Sequence, residues 1–104
     1  MSLKQNDKKG LRTIGHQLSP VVTVAENGLS ATVLAEIERA LNDRELIKIK
    51  FVTEDRDNKK ALIAEVMEQT NATLVQTIGH IALILRKVTK PNPKLSNLKR
   101  FSHL

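Results

Sequence analysis

The chain contains no cysteine. Disulfides, thiolate nucleophiles and thiolate metal ligands are therefore excluded, and the absence suits a reducing compartment such as the cytoplasm. Tyrosine and tryptophan are also missing, and Phe51 and Phe101 are the only aromatic residues. Modules that read RNA by stacking bases on an aromatic sheet surface are thereby disfavoured. A nucleic-acid partner would have to be gripped by its backbone and shape. No apolar run approaches the roughly 18 residues of a membrane span, and the opening MSLKQNDKKG lacks the apolar segment of a secretory signal. No Gly-x-Ser-x-Gly elbow, P-loop or Ser-His-acid set occurs, so no catalytic residue, cofactor or small-molecule substrate is expected. Glu54, Asp55 and Asp57 cluster, but without the glycine and terminal glutamate of an EF-hand loop. Helix capping accounts for them better. His16, His80 and His103 are too scattered for a metal site.

What the sequence does carry is positive charge, unevenly placed. A chain of 104 residues with net charge +6 is one domain. Residues 1–12 hold Lys4, Lys8, Lys9 and Arg12 against Asp7, a balance of +3. Residues 86–104 hold Arg86, Lys87, Lys90, Lys94, Lys99 and Arg100 with no acid, a balance of +6, while the middle is at −3. Basic ends point to a polyanion partner, nucleic acid foremost. The alternative is a charge excess that only keeps a small protein soluble.

The periodicity predicts seven elements. Leu3, Leu11, Ile14 and Leu18 at helical intervals predict a first helix over 3–18, with Lys4, Lys8 and Arg12 on another face. Pro20 stops it, and Val21 to Val24 form a short strand. After the Asn27-Gly28 turn, Ser30 caps a second helix, with a staple between Leu29 and Leu34. Its buried stripe is Val33, Leu34, Ile37, Ala40 and Leu41, and Asn42-Asp43 suit its exit. In Glu45 to Thr53, Ile47, Ile49 and Phe51 alternate with Lys48 and Lys50, which predicts a strand with one apolar and one basic face. Asp57 is the expected cap of a third helix, with core residues Leu62, Ile63, Val66 and Met67 and a left-handed Asn71 at its exit. Strands Thr73 to Ile78 and Ile81 to Arg86 flank Gly79-His80 as a hairpin. IALILR is apolar enough for a central strand covered on both faces. The fold class is α/β, one mixed sheet in the order α-β-α-β-α-β-β packed with helices. Residues 1–87 form the domain, and residues 88–104 read as a flexible basic tail. Within that tail Leu95, Leu98 and Phe101 are spaced for a short helix against a partner.

Several words in this order carry a family resemblance: Gly15-His16, Leu18-Ser19-Pro20-Val21-Val22, Asn27-Gly28-Leu29, Val33-Leu34-Ala35-Glu36-Ile37-Glu38, Ala40-Leu41, Glu45-Leu46-Ile47-Lys48-Ile49-Lys50 and Val75-Gln76-Thr77-Ile78-Gly79-His80. Over roughly residues 8 to 86 the chain resembles the bacterial YhbY family, the stand-alone form of the CRM domain (chloroplast RNA splicing and ribosome maturation). The resemblance implies a fold similar to KH domains and to the C-terminal domain of translation initiation factor 3. It implies RNA binding, association with precursors of the large ribosomal subunit and a role in ribosome assembly, without enzymatic activity. The family's Gly-x-x-Gly loop between the first strand and the second helix reads Ala25-Glu26-Asn27-Gly28 here. Ala25 replaces the first glycine, and Glu26 places a carboxylate in the loop. A lysine frequent in the family is His80 here, and a frequent tyrosine is Leu85.

The candidate RNA-binding residues are Asn27 and Gly28 in the loop, Lys48 and Lys50 on the second strand, Lys8, Lys9 and Arg12 on the first helix, His80 at the hairpin tip, and Arg86 and Lys87 after the last strand. Each has a plainer reading: a turn requiring a positive φ for Asn27-Gly28, a solvated sheet face for the lysines. The expected state is a cytoplasmic monomer bound to ribosomal RNA. The competing expectation is an adaptor that reaches the ribosome through a protein partner.

Overall fold

Strict alternation in the strands and wider apolar stripes in the helices decide where the layers meet. The structure, a computed structural model, describes residues 5–103, with side chains from Lys8 onward; Leu3 and Lys4 of the first-helix reading lie outside the described residues. The elements are α1 (Gln5–Gly15), β1 (Pro20–Ala25), α2 (Ala31–Arg44), β2 (Leu46–Val52), α3 (Arg56–Thr70), β3 (Thr73–Ile78), β4 (Ile81–Leu85) and a short α4 (Asn97–Arg100). The strands form one four-stranded sheet in the order β1-β2-β4-β3. β1 runs parallel to β2, joined to it by the α2 crossover, and both β2–β4 and β3–β4 are antiparallel. The class is α/β with a mixed sheet, as the periodicity predicts.

Both sheet faces are covered. On one, Val22, Val24, Ile47, Ile49, Phe51, Ala82 and Ile84 meet Ile37 and Leu41 of α2 and Leu62, Ile63 and Val66 of α3. On the other, Leu46, Val75, Leu83 and Leu85 meet Leu11 and Ile14 of α1. β4 is an inner strand with Ala82 and Ile84 in one cluster and Leu83 and Leu85 in the other, so its unbroken apolar run follows from two-sided burial. Gly15, the last residue of α1, shows how close the second layer lies: a Cβ there would stand 2.7 Å from Leu83 Cδ2.

The local signals for caps mostly hold. Ser30 Oγ accepts from Val33 N at 3.1 Å and starts α2. Asn71 ends α3 in the left-handed region at φ 58°. β3 and β4 pair across Gly79-His80 from Ile78↔Ile81 onward. Several boundaries move: β1 extends to Pro20–Ala25, β2 stops at Val52, and β4 stops at Leu85, leaving Arg86 outside it. α1 ends at Gly15 rather than Leu18, because Gln17 and Leu18 turn back onto the Ile14 and Gly15 carbonyls. The cap of α3 is Asp55, not Asp57: its Oδ1 accepts from both Asp57 N and Asn58 N. α2 runs past Asn42-Asp43 to Arg44 and is followed by Glu45 at φ 63°, outside the strand to which the sequence reading gave it. Leu34 is only half-buried and leaves the core stripe to Ile37 and Leu41.

The largest departure is the C-terminal segment. The flexible tail expected over 88–104 is instead folded back from Leu95 to Phe101. Its anchor is Glu45, whose buried carboxylate accepts from Val88 N at 2.9 Å and from Ser96 Oγ at 2.6 Å. Asn97 Nδ2 donates to Leu46 O at 2.6 Å. Leu98 and Phe101 then pack onto the α1-side cluster. The physical reason is area: α1 is short and leaves part of that apolar face uncovered. Composition reports a basic polar segment; it does not report that one buried glutamate elsewhere holds it.

Candidate nucleic-acid interface

Three connections meet at one end of the sheet: the loop after β1, the loop after β2 and the β3–β4 turn. The registers place them together, with Ala25 opposite Val52, and Lys50 opposite Ile81. Between them lies an open depression of about 380 Å³ lined by Glu26, Lys50, Val52, Thr53, Glu54 and His80.

The β1–α2 loop is closed by Gly28 N donating to Ala25 O at 3.0 Å. Gly28 has φ +100°, and a Cβ there would make only ordinary contact with Leu62 at 3.7 Å. Glycine is therefore required by conformation, not by space. Asn27 is exposed at the turn. α2 follows at once, and no acidic residue stands in its first turn to offset the positive end of its dipole.

Glu26 is held rather than free. Thr53 Oγ1 donates to Glu26 Oε1 at 3.4 Å, and Asn58 Nδ2 donates to Glu26 O at 3.3 Å. The same Thr53 oxygen accepts from Asp55 N and Asn58 Nδ2. The start of α3 thus fixes the shape of the β1–α2 loop and draws the carboxylate toward the β2–α3 connection.

Lys50 is exposed on the sheet face that α1 only partly covers, and His80 is exposed at the turn. The turn is tied on both sides: Phe51 N donates to His80 O at 2.7 Å, and Lys59 Nζ donates to Gly79 O at 2.7 Å. Asn27, Gly28, Lys50 and His80 therefore share one end of the molecule.

The other candidates do not join them. Lys48 lies on the same strand face as Lys50, but it is half-buried and its Nζ donates to Leu18 O at 3.1 Å. The continuous solvated basic stripe expected of these two lysines is broken, because α1 and the C-terminal segment cover that face around Lys48. Lys8, Lys9 and Arg12 sit on α1; Lys9 is exposed, and Arg12 Nε donates to Lys8 O at 3.3 Å. Arg86 and Lys87 follow β4 at the opposite end of the sheet from Gly28. Arg86 is fully engaged there, 2.7 Å from Glu38 Oε2 and donating to Thr70 O and Asn42 Oδ1. It joins β4 to α2 and α3.

Sequence reasoning missed Asn58 and Lys59, which shape the loop end from α3. The only available signal was their position just after the Glu54-Asp55 pair. A separate groove of about 610 Å³ runs between α3 and β3, with Ile63, Met67 and Leu74 inside and Arg56, Lys59 and Lys60 along it.

The model of the CRS1/YhbY (CRM) domain matches residues 3–86. The chain belongs to the CRS1/YhbY (CRM) family. A relative from Pseudomonas aeruginosa, named a probable RNA-binding protein, is 54% identical over 98% of this chain and 98% of its own. One from Haemophilus influenzae, named an RNA-binding protein, is 46% identical over 82% of this chain and 86% of its own. The solution structure of a hypothetical protein from Staphylococcus aureus, presented as a candidate RNA binder, superposes with TM-score 0.74 at 30% identity, covering 86% of this chain and 93% of that one. The CRM match stops at Arg86, so the docked segment with Asn97 and Phe101 lies beyond it.

Proposed function

We propose that this protein is a non-catalytic RNA-binding protein of the cytoplasm that associates with ribosomal RNA of the large-subunit precursor during assembly. One observation carries the reading. The family's loop, with Gly28 at positive φ and an α2 N-terminus free of acids, stands beside exposed Lys50 and His80 at one end of the sheet. Glycine there lets an RNA backbone come close, the helix end and Lys50 favour phosphate, and His80 offers a donor. The relatives named as RNA-binding support the same reading. Few groups at this end can read base edges, so sequence preference should be weak and shape dominant. The bound protein would hold one rRNA site in a productive fold until assembly passes it, acting as a monomer.

The test is sedimentation of a cell lysate on sucrose gradients at low and high salt, probing for this protein. Co-migration with large-subunit particles at low salt and release at high salt is the expected result. A protein that stays at the top at both salts ends the ribosomal reading. A second reading, the adaptor, draws on the α3–β3 groove, whose apolar floor and basic rim suit an apolar segment carrying acidic residues. It predicts ribosome association that survives high salt and charge reversal at Lys50.

A further inference from the structure

The docked C-terminal segment builds a second cationic site, away from the Gly28 loop. Its last turn lies over the entry to β1, and a cleft of about 220 Å³ remains between them. Arg44, Lys48 and Arg100 all line this cleft, with the polar side chains of Gln17 and Asn97 and the ring of Phe101; among the described residues no acidic one lines it. The three cations come from α2, β2 and α4, far apart in sequence, so only the fold brings them together. The nearest buried carboxylate, Glu45, is occupied by Val88 N and Ser96 Oγ. The negative end of α2 is offset by Arg44 in its last turn. Arg100 is pre-positioned: its Nη1 donates to Asn97 Oδ1 at 3.2 Å, and its guanidinium lies 5.2 Å from the centroid of the Phe101 ring. Lys48 is held at Leu18 O by a single bond, which leaves it further donors.

We propose that the cleft formed by Arg44, Lys48 and Arg100 binds a backbone phosphate of single-stranded RNA. The proposal rests on the RNA-binding reading and extends it to a second contact. Both arginines offer forked donors suited to phosphate oxygens. The Phe101 ring, packed on the α1-side cluster, holds the Arg100 guanidinium in place by a cation–π contact. The site explains Lys48 as well: its partial burial, which removes it from a stripe with Lys50, puts it in the wall of a cleft.

The experiment is fluorescence anisotropy with a labelled single-stranded RNA of mixed sequence, over a range of salt. The proteins are the full chain, Arg44→Gln, Arg100→Gln, the double variant, and Lys50→Gln at the other end. Thermal melts check that each variant folds. Each arginine variant should bind roughly five- to tenfold more weakly. If a phosphate contact is lost, the log–log salt slope should fall by about 0.7 in magnitude. Unchanged affinity and slope in both arginine variants and the double variant, with Lys50→Gln weakened, would overturn the second site and leave the RNA reading standing. No RNA binding by the full chain would overturn both. Normal RNA affinity in the arginine variants, with loss of ribosomal co-sedimentation, would assign the cleft to an acidic protein surface and refute the phosphate site.

Discussion

At the scale of single residues, Glu26 and Gly28 separate what the loop needs from what it tolerates. Gly28 is fixed by its φ of +100°. Gly28→Val should cost about 1–3 kcal/mol of stability from backbone strain and weaken RNA binding at the same time. A variant with normal melting and normal RNA affinity would show that the loop neither strains nor touches RNA. Glu26, by contrast, is a carboxylate drawn aside by Thr53. Glu26→Lys should tighten RNA binding by about fivefold, equivalent to about 1 kcal/mol. Anisotropy titration checks it, and an unchanged or weaker affinity removes the loop from the interface. The residue scale is also where the sequence was least legible. Asn27-Gly28 announces a turn, because few residues adopt that backbone. Nothing in the string says that Asn58, more than thirty positions on, holds the turn's carbonyl. Nor does it say that Lys48 and Lys50, chemically identical and two apart, differ because one lies under a docked segment.

At the scale of elements, legibility followed the range of the forces. Ser30 and Asn71 act on their own helix ends, so their roles could be read from type and position. The alternation of Ile47, Ile49 and Phe51 reports its own burial, and the apolar run of β4 reports coverage on both sides. The C-terminal segment could not be read this way. Its docking depends on Glu45, about fifty positions earlier, and on an apolar surface that α1 leaves open. Glu45→Ala should therefore act at a distance. Removing hydrogen bonds from a buried charged acceptor costs about 1.5–3 kcal/mol, and amide exchange should rise over residues 95–101 before it rises in the sheet. Uniform destabilisation without selective exchange there would contradict the anchor role. Gly15 gives the matching test for α1. The Gly15→Ala methyl would press on Leu83, and overpacking of about 1–3 kcal/mol should outweigh any gain in helix propensity, so its melting temperature should fall.

At the scale of the whole molecule, the basic ends of the sequence do not become one basic face. Lys8, Lys9 and Arg12 lie on α1, the loop residues with Lys50 lie at one end of the sheet, and Arg86 is neutralised at the other. An RNA that reaches from the Gly28 loop to the Arg44–Arg100 cleft has to run along the length of β1. About five phosphate contacts to a single strand imply a log–log salt slope of about −3.5. A slope near zero would mean that the net charge of +6 has no polyanion to meet. A radius of gyration of 13.1 Å is close to the ~13 Å expected of a folded chain of about 100 residues. The C-terminal segment therefore belongs to the same folded body and cannot act as a freely sweeping arm.

The place of β4 has a consequence for how the molecule comes into being. It follows β1, β2 and β3 in the chain, yet it sits inside the sheet, between β2 and β3. Before it arrives, β2 has an unpaired edge and β3 has no neighbour at all. The growing chain must therefore carry Ile47, Ile49 and Phe51 without the strand that completes their sheet. The four-stranded sheet can be completed only once β4 is available, and exposed apolar strands precede that point. A fragment ending at Gly79 should lack cooperative unfolding and should aggregate, and a fragment with a sharp melting transition would contradict this. The nascent chain is thus most vulnerable in the interval before β4 emerges.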